Sequence, residues 1–136
     1  MEKLTKLNYV DLADKTMREL VESSKRDRKS FNIITTSKIR NILGMVTEIY
    51  NLVMHEPGKS INEDLQSKLR YLKMRFAYEA GRDNVVNDFI KRANILAYID
   101  SIKDSKDDVL VFCHYVEALV AFRKYYGQIL GNRDKD

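Results

Sequence analysis

The residues best equipped for chemistry in this sequence are the cations and tyrosines between positions 68 and 82. Lys68, Arg75 and Arg82 recur every seven residues, and Tyr71 and Tyr78 repeat at the same interval beside them. On an α-helix that interval returns to nearly the same side, so the spacing predicts a row of cations next to a row of rings. Such a surface suits nucleic acid, because cations take phosphates and rings stack on bases. Arg70 and Lys73 fall on the far side of the intervening apolar stripe. The structural alternative packs the tyrosines against the core and pairs the arginines with Glu79 or Glu117. A second basic site is Thr35-Thr36-Ser37-Lys38-Ile39-Arg40. A helix start carries free N–H groups and positive partial charge, and it favours acids. Here it holds Lys38 and Arg40, and the next acid is Glu48. The arrangement predicts an outside anion, such as a phosphate, held by Thr36, Ser37, Lys38 and Arg40. The alternative is a plain hydroxyl cap with two solvated cations.

Catalytic and metal chemistry are not expected. Gly58-Lys59-Ser60 resembles the end of a phosphate-binding loop, but position 53 is Val where that loop needs Gly. Cys113 and His114 are adjacent, so on a helix they point about 100° apart and cannot form a nucleophile–base pair. Cys113 is expected to be a core thiol. His55 and His114 are the two histidines, without zinc-ligand spacing, and Glu-x-x-His does not occur. Glu117 and Lys124 share a face of an otherwise apolar helix, which predicts a partly buried ion pair rather than a general base. No catalytic residue, metal ligand or cofactor is assigned.

The elements that must position these residues are helical. The chain of 136 residues is the size of one domain. It is 44% apolar and 32% charged, with only five Gly and one Pro, a folded and helix-favouring composition. A single Cys excludes an internal disulfide. Twenty-four Lys and Arg against 20 Asp and Glu give a net charge of +4, too small to decide a partner by itself. No apolar run exceeds about five residues, far short of the roughly 20 that cross a bilayer. No signal peptide is visible, so no membrane partner and a cytoplasmic location are expected.

Hydrophobic periodicity predicts an all-α, compact five-helix bundle. The first helix carries Val10, Ala13, Met17, Leu20 and Val21, with Asn8 as its cap. Residues 23–34 read as a flexible basic loop. The second helix carries Ile39, Ile42, Leu43, Val46, Ile49, Tyr50 and Val53, capped by Thr35 or Thr36 and ended at His55-Glu56-Pro57-Gly58. Gly44 inside it suggests a close helix approach. The third helix starts at Ser60 with Glu63 as a capping box, buries Leu65, Leu69, Leu72, Phe76 and Ala80, and closes at Gly81. Asp83 caps a fourth helix that fades near Asp100. Ser105 or Asp107 opens a fifth, running to about Tyr126, apolar nearly all round and therefore central. The domain spans residues 1–136, with a core of about 8–127 and a tail of 128–136.

Three segments together resemble a known family. They are Thr35-Thr36-Ser37-Lys38-Ile39-Arg40-Asn41, then Tyr71 through Arg82 (YLKMRFAYEAGR), then Phe112 through Gly127 (FCHYVEALVAFRKYYG). Their order and spacing resemble the small subunit of the type III-A CRISPR effector, the Csm complex, over roughly residues 8–127. Gln128 departs from relatives that often carry a second glycine there. The resemblance implies a non-catalytic helical subunit of an antiviral ribonucleoprotein. It implies several copies stacked head to tail beside guide RNA and target RNA, touching mainly backbone, among the other subunits of the complex. It implies RNA contact by Lys38, Arg40, Lys73, Arg75 and Arg82. Lys124 also sits at a matching position but faces Glu117, and Lys68, Tyr71 and Tyr78 join as further candidates from their place on the helix. The competing expectation is a helical protein–protein adaptor that never touches RNA.

Overall fold

The computed structural model describes residues 2–26 and 33–130. Among them are six helices: α1 (Tyr9–Arg26), α2 (Thr36–Met54), α3 (Glu63–Arg82), α4 (Asn84–Arg92), α5 (Ile95–Ser101) and α6 (Lys106–Leu130). Strand structure among the described residues amounts to one isolated bridge, Ser60 to Ser105. The all-α expectation holds, and the helix count is six rather than five.

The extra helix comes from a break in the expected fourth one. Asn94 adopts a left-handed conformation, φ 56°, between α4 and α5. Asn visits that region more readily than most residues because its short side chain is polar and can hydrogen-bond the local backbone. The break lets two successive faces be buried: Val86, Phe89 and Ile90 from α4, then Ile95, Tyr98 and Ile99 from α5. The Tyr115 hydroxyl donates to the Ala93 carbonyl at 2.9 Å, satisfying a backbone acceptor at the break.

α6 is central, as its all-round apolar pattern predicts. It packs against α1 and α2, while α3 packs against α2, α4 and α5. Val109, Phe112, Tyr115, Val116 and Leu119 are essentially sealed from solvent. The Tyr126 hydroxyl donates to Asp14, tying α6 to α1. The helix continues through Gly127, which is buried, rather than stopping before it. At the other end of the core, the Arg92 guanidinium donates to Ser23 Oγ at 3.3 Å and links α4 to α1.

Several local expectations are corrected. α1 runs to Arg26, so the expected loop cannot begin at Ser23, and Ile33 and Ile34 at its far end are core residues. The rest of that loop (residues 27–32) and tail residues 131–136 lie outside the described residues. Val10 is exposed, and the α1 stripe is Ala13, Met17, Leu20 and Val21. The Asn8 side chain accepts from Thr5 N–H, within the turn that precedes α1. Asn62, not Ser60, caps α3, accepting from Leu65 N at 2.9 Å. Ser60 is instead held beside Ser105, where Ile61 N–H donates to the Asp104 carbonyl and Lys106 N–H to the Lys59 carbonyl. Gly81 lies inside α3, whose C-cap is Asp83. Gly44 is exposed, and a Cβ added there would meet nothing within 4 Å, so no close helix approach requires it. The α3 stripe of Leu65, Leu69, Leu72, Phe76 and Ala80 is buried in full.

Candidate nucleic-acid interface

The outer face of α3 carries the predicted rows. Its five apolar positions face inward, and this leaves Lys68, Tyr71, Arg75, Tyr78 and Arg82 on the open side. Tyr71 is 55% and Tyr78 64% exposed, so the tyrosines are not core residues. Met74, between them, is also exposed. The guanidinium carbon of Arg82 lies 5.6 Å from the centre of the Tyr78 ring, a cation–π distance, and Arg82 Nη1 is 3.9 Å from Glu79.

Beside this face a groove of about 640 Å³ runs between α2 and α3. Met45, Ile49 and Leu72 form its apolar lining, with Leu52 at the exposed edge. Lys68, Tyr71 and Arg75 come from α3, and Glu48 and Asn51 from α2. Among the described residues, neither Lys68 nor Arg75 has an acid within ion-pair distance, and neither does Arg40. These cations meet solvent unneutralised.

Two predicted cations are placed differently. Lys73 turns away from the tyrosine row and reaches Asp100 at 2.5 Å, with Arg70 3.6 Å from the same carboxylate. The hydrogen bond from Lys73 holds the Asp100 carboxyl below its ordinary range. Lys73 thus links α3 to the end of α5.

Lys38 Nζ lies 2.5 Å from Asp83 Oδ2. Asp83 Oδ1 accepts from Val85 N at 3.0 Å and Val86 N at 3.4 Å, so one carboxylate caps α4 and neutralises Lys38. The Lys38 hydrogen bond depresses the Asp83 pKa, partly opposed by burial and aided by the two backbone donors. The acid missing from the first turn of α2 is therefore supplied from the α3–α4 junction. Thr35 is the true cap, accepting from Lys38 N at 3.2 Å. Thr36 is buried with an unpartnered hydroxyl, so it does not face an outside anion with Ser37.

The remaining candidates resolve simply. Glu117 is exposed rather than partly buried, so the expected buried ion-pair position is not built, and Lys124 is itself exposed on α6. Cys113 is buried and its thiol is pushed up to about 12 by desolvation, as a core thiol should be. His114 sits between the Tyr9 and Tyr50 rings, at 6.0 and 5.5 Å, rather than on the thiol. No group of three or more His, Cys, Asp or Glu is placed to hold a metal among the described residues.

Arg123 is the important residue that sequence reasoning missed. It is 1% exposed, and its Nε donates to the Ile34 carbonyl at 2.7 Å, just before the α2 cap. Its signal was present: Arg123 continues the buried Phe112, Val116, Leu119 spacing of α6.

The Csm2 type III-A family profile matches residues 14–129, nearly the whole helical bundle including both basic faces. The chain belongs to the Csm2 family. It is 37% identical over 119 residues to the CRISPR system Cms protein Csm2 of Enterococcus italicus, covering 80% of this chain and 85% of the relative. It is 37% identical over 124 residues to Csm2 of Streptococcus thermophilus, covering 91% and 95%. Csm2 of Mycobacterium tuberculosis is 31% identical over 107 residues, covering 79% and 86%. The chain is accordingly a structural subunit of the type III-A CRISPR complex, partnered by the other subunits of that complex, and not an enzyme. Among the described residues no helix is long and apolar enough to cross a membrane.

Proposed function

We propose that this subunit binds guide RNA and target RNA along the outer face of α3, with several copies stacked head to tail in the cytoplasmic complex. One observation carries the reading: Lys68 and Arg75 flank the exposed Tyr71 on an open face, and no acid among the described residues neutralises them. Arg82, held over Tyr78, extends the row, and Arg40 adds an unneutralised cation near the start of α2. Lys38 and Lys73 contribute less, because Asp83 and Asp100 already hold their ammonium groups. Unneutralised cations on a helix face bind the RNA backbone without regard to sequence.

The test is a titration of the purified chain with single-stranded RNA at several salt concentrations. Affinity should fall with salt, with a log–log slope of about −0.7 per phosphate contacted. Changing Arg75 and Arg82 to Glu should weaken binding to all RNA sequences alike and flatten that slope. RNA binding that ignores salt, or a double variant that binds as the wild type does, would refute it. The exposed Met74 favours a second reading, in which this face meets a protein neighbour and no RNA. Absence of RNA binding by the wild-type chain at low salt would select it.

A further inference from the structure

The groove between α2 and α3 holds more than a backbone-binding surface requires. Lys68 and Arg75 would suffice for phosphates. The groove adds an exposed ring, an apolar floor, and a carboxylate with an amide on the opposite wall. Glu48 forms no ion pair with Lys68 or Arg75 although all three line the same space, so its oxygens remain free to accept hydrogen bonds. The volume of about 640 Å³ lies in the usual range of small-ligand clefts, about 300–1,000 Å³.

We infer that this groove is a pocket for one unpaired nucleotide of a single-stranded RNA. The base stacks on Tyr71 above the Met45 and Ile49 floor. Lys68, one turn before Tyr71, and Arg75, one turn after it, take the phosphates on either side of that base. Glu48 accepts from an exocyclic amine of the base, and Asn51 supplies one donor and one acceptor beside it. A carboxylate there favours cytosine, adenine and guanine, which carry amines. It disfavours uracil, whose corresponding edge presents two carbonyl oxygens around a single N–H. The aromatic ring gives stacking to any base, so the preference comes from Glu48 and the affinity from Tyr71 and the cations.

The inference rests on the RNA-contact reading above, and the experiment separates the two. Ten-residue oligo(C) and oligo(U) RNAs are titrated against the wild-type chain, Tyr71→Ala, Tyr71→Phe and Glu48→Gln, with sedimentation of each protein alone. Both positions are exposed, so the variants keep the fold. The wild type should prefer oligo(C) by about five-fold or more, the scale of one base-reading contact. Tyr71→Ala should weaken both RNAs by about ten-fold, and Tyr71→Phe should not. Glu48→Gln should erase the preference while leaving salt dependence in place. Salt-dependent binding with Tyr71→Ala and Glu48→Gln indistinguishable from wild type overturns the pocket and leaves the backbone reading standing. No RNA binding by the wild type overturns both. Loss of self-association in Tyr71→Ala, with RNA binding intact, overturns the pocket and makes the groove an interface between copies.

Discussion

Asp83 is the acid whose removal most directly tests how the basic corner is built. Its Oδ1 caps α4 through Val85 N and Val86 N, and its Oδ2 receives Lys38. A cap of this kind is worth about 0.5–2 kcal/mol. The ion pair joins side chains that are 46% and 24% exposed, so screening limits it to about 0.2–1 kcal/mol. Asp83→Ala should therefore cost about 1–3 kcal/mol, and Asp83→Asn, which keeps a capping oxygen, only the smaller part. For a chain of this length each kcal/mol lowers Tm by roughly 3–5 °C. Lys38→Glu would gain about 0.3–1 kcal/mol from the α2 dipole, but it sets a second carboxylate against Asp83. The net expectation is destabilisation at neutral pH. Asp83 has a folded-state pKa below its unfolded value of 3.8. Its contribution is therefore fully present above about pH 4 and is lost as pH falls through the folded pKa. Thermal melts of the wild type and the three variants at pH 7 and across pH 5 to 2 are the assay. If Asp83→Ala melted with the wild type, or Lys38→Glu were more stable, the Lys38–Asp83–α4 arrangement would be refuted.

Two further outcomes are expected. Gly44→Ala should stabilise the protein by about 0.5–1 kcal/mol, because the exposed helical site has room for a Cβ and Gly costs the unfolded chain more entropy to order; a melt showing no gain would imply a contact the fold does not contain. Cys113 should resist a thiol reagent at pH 8, since its thiol is pushed up to about 12 and buried, and should react at the rate of opening. Rapid labelling of the native chain would move Cys113 out of the core.

What the sequence alone determined was local. The α3 stripe, the central burial of α6, the Asp83 cap and the placing of Lys68, Tyr71 and Arg75 side by side on one helix all follow from helical periodicity and from capping chemistry within a few residues. The choice of Thr35 over Thr36 as cap and the exposure of the tyrosines do not. The Csm2 family was legible on a different ground, the resemblance of three short segments, each lying on or at the start of a single helix. Only the tertiary structure decided which cations remain available. Lys38 meets Asp83 from 45 residues away and Lys73 meets Asp100 from 27 residues away, so no local window shows either pair. It also decided that Arg123 is buried under the Ile34 carbonyl, that Asn62 displaces Ser60 as a cap, and that the fourth helix breaks at Asn94. The physical reason is common to all of these. Helix formation responds to neighbours three and four residues apart, whereas ion pairing, desolvation and helix breaks respond to whatever surface packing brings alongside.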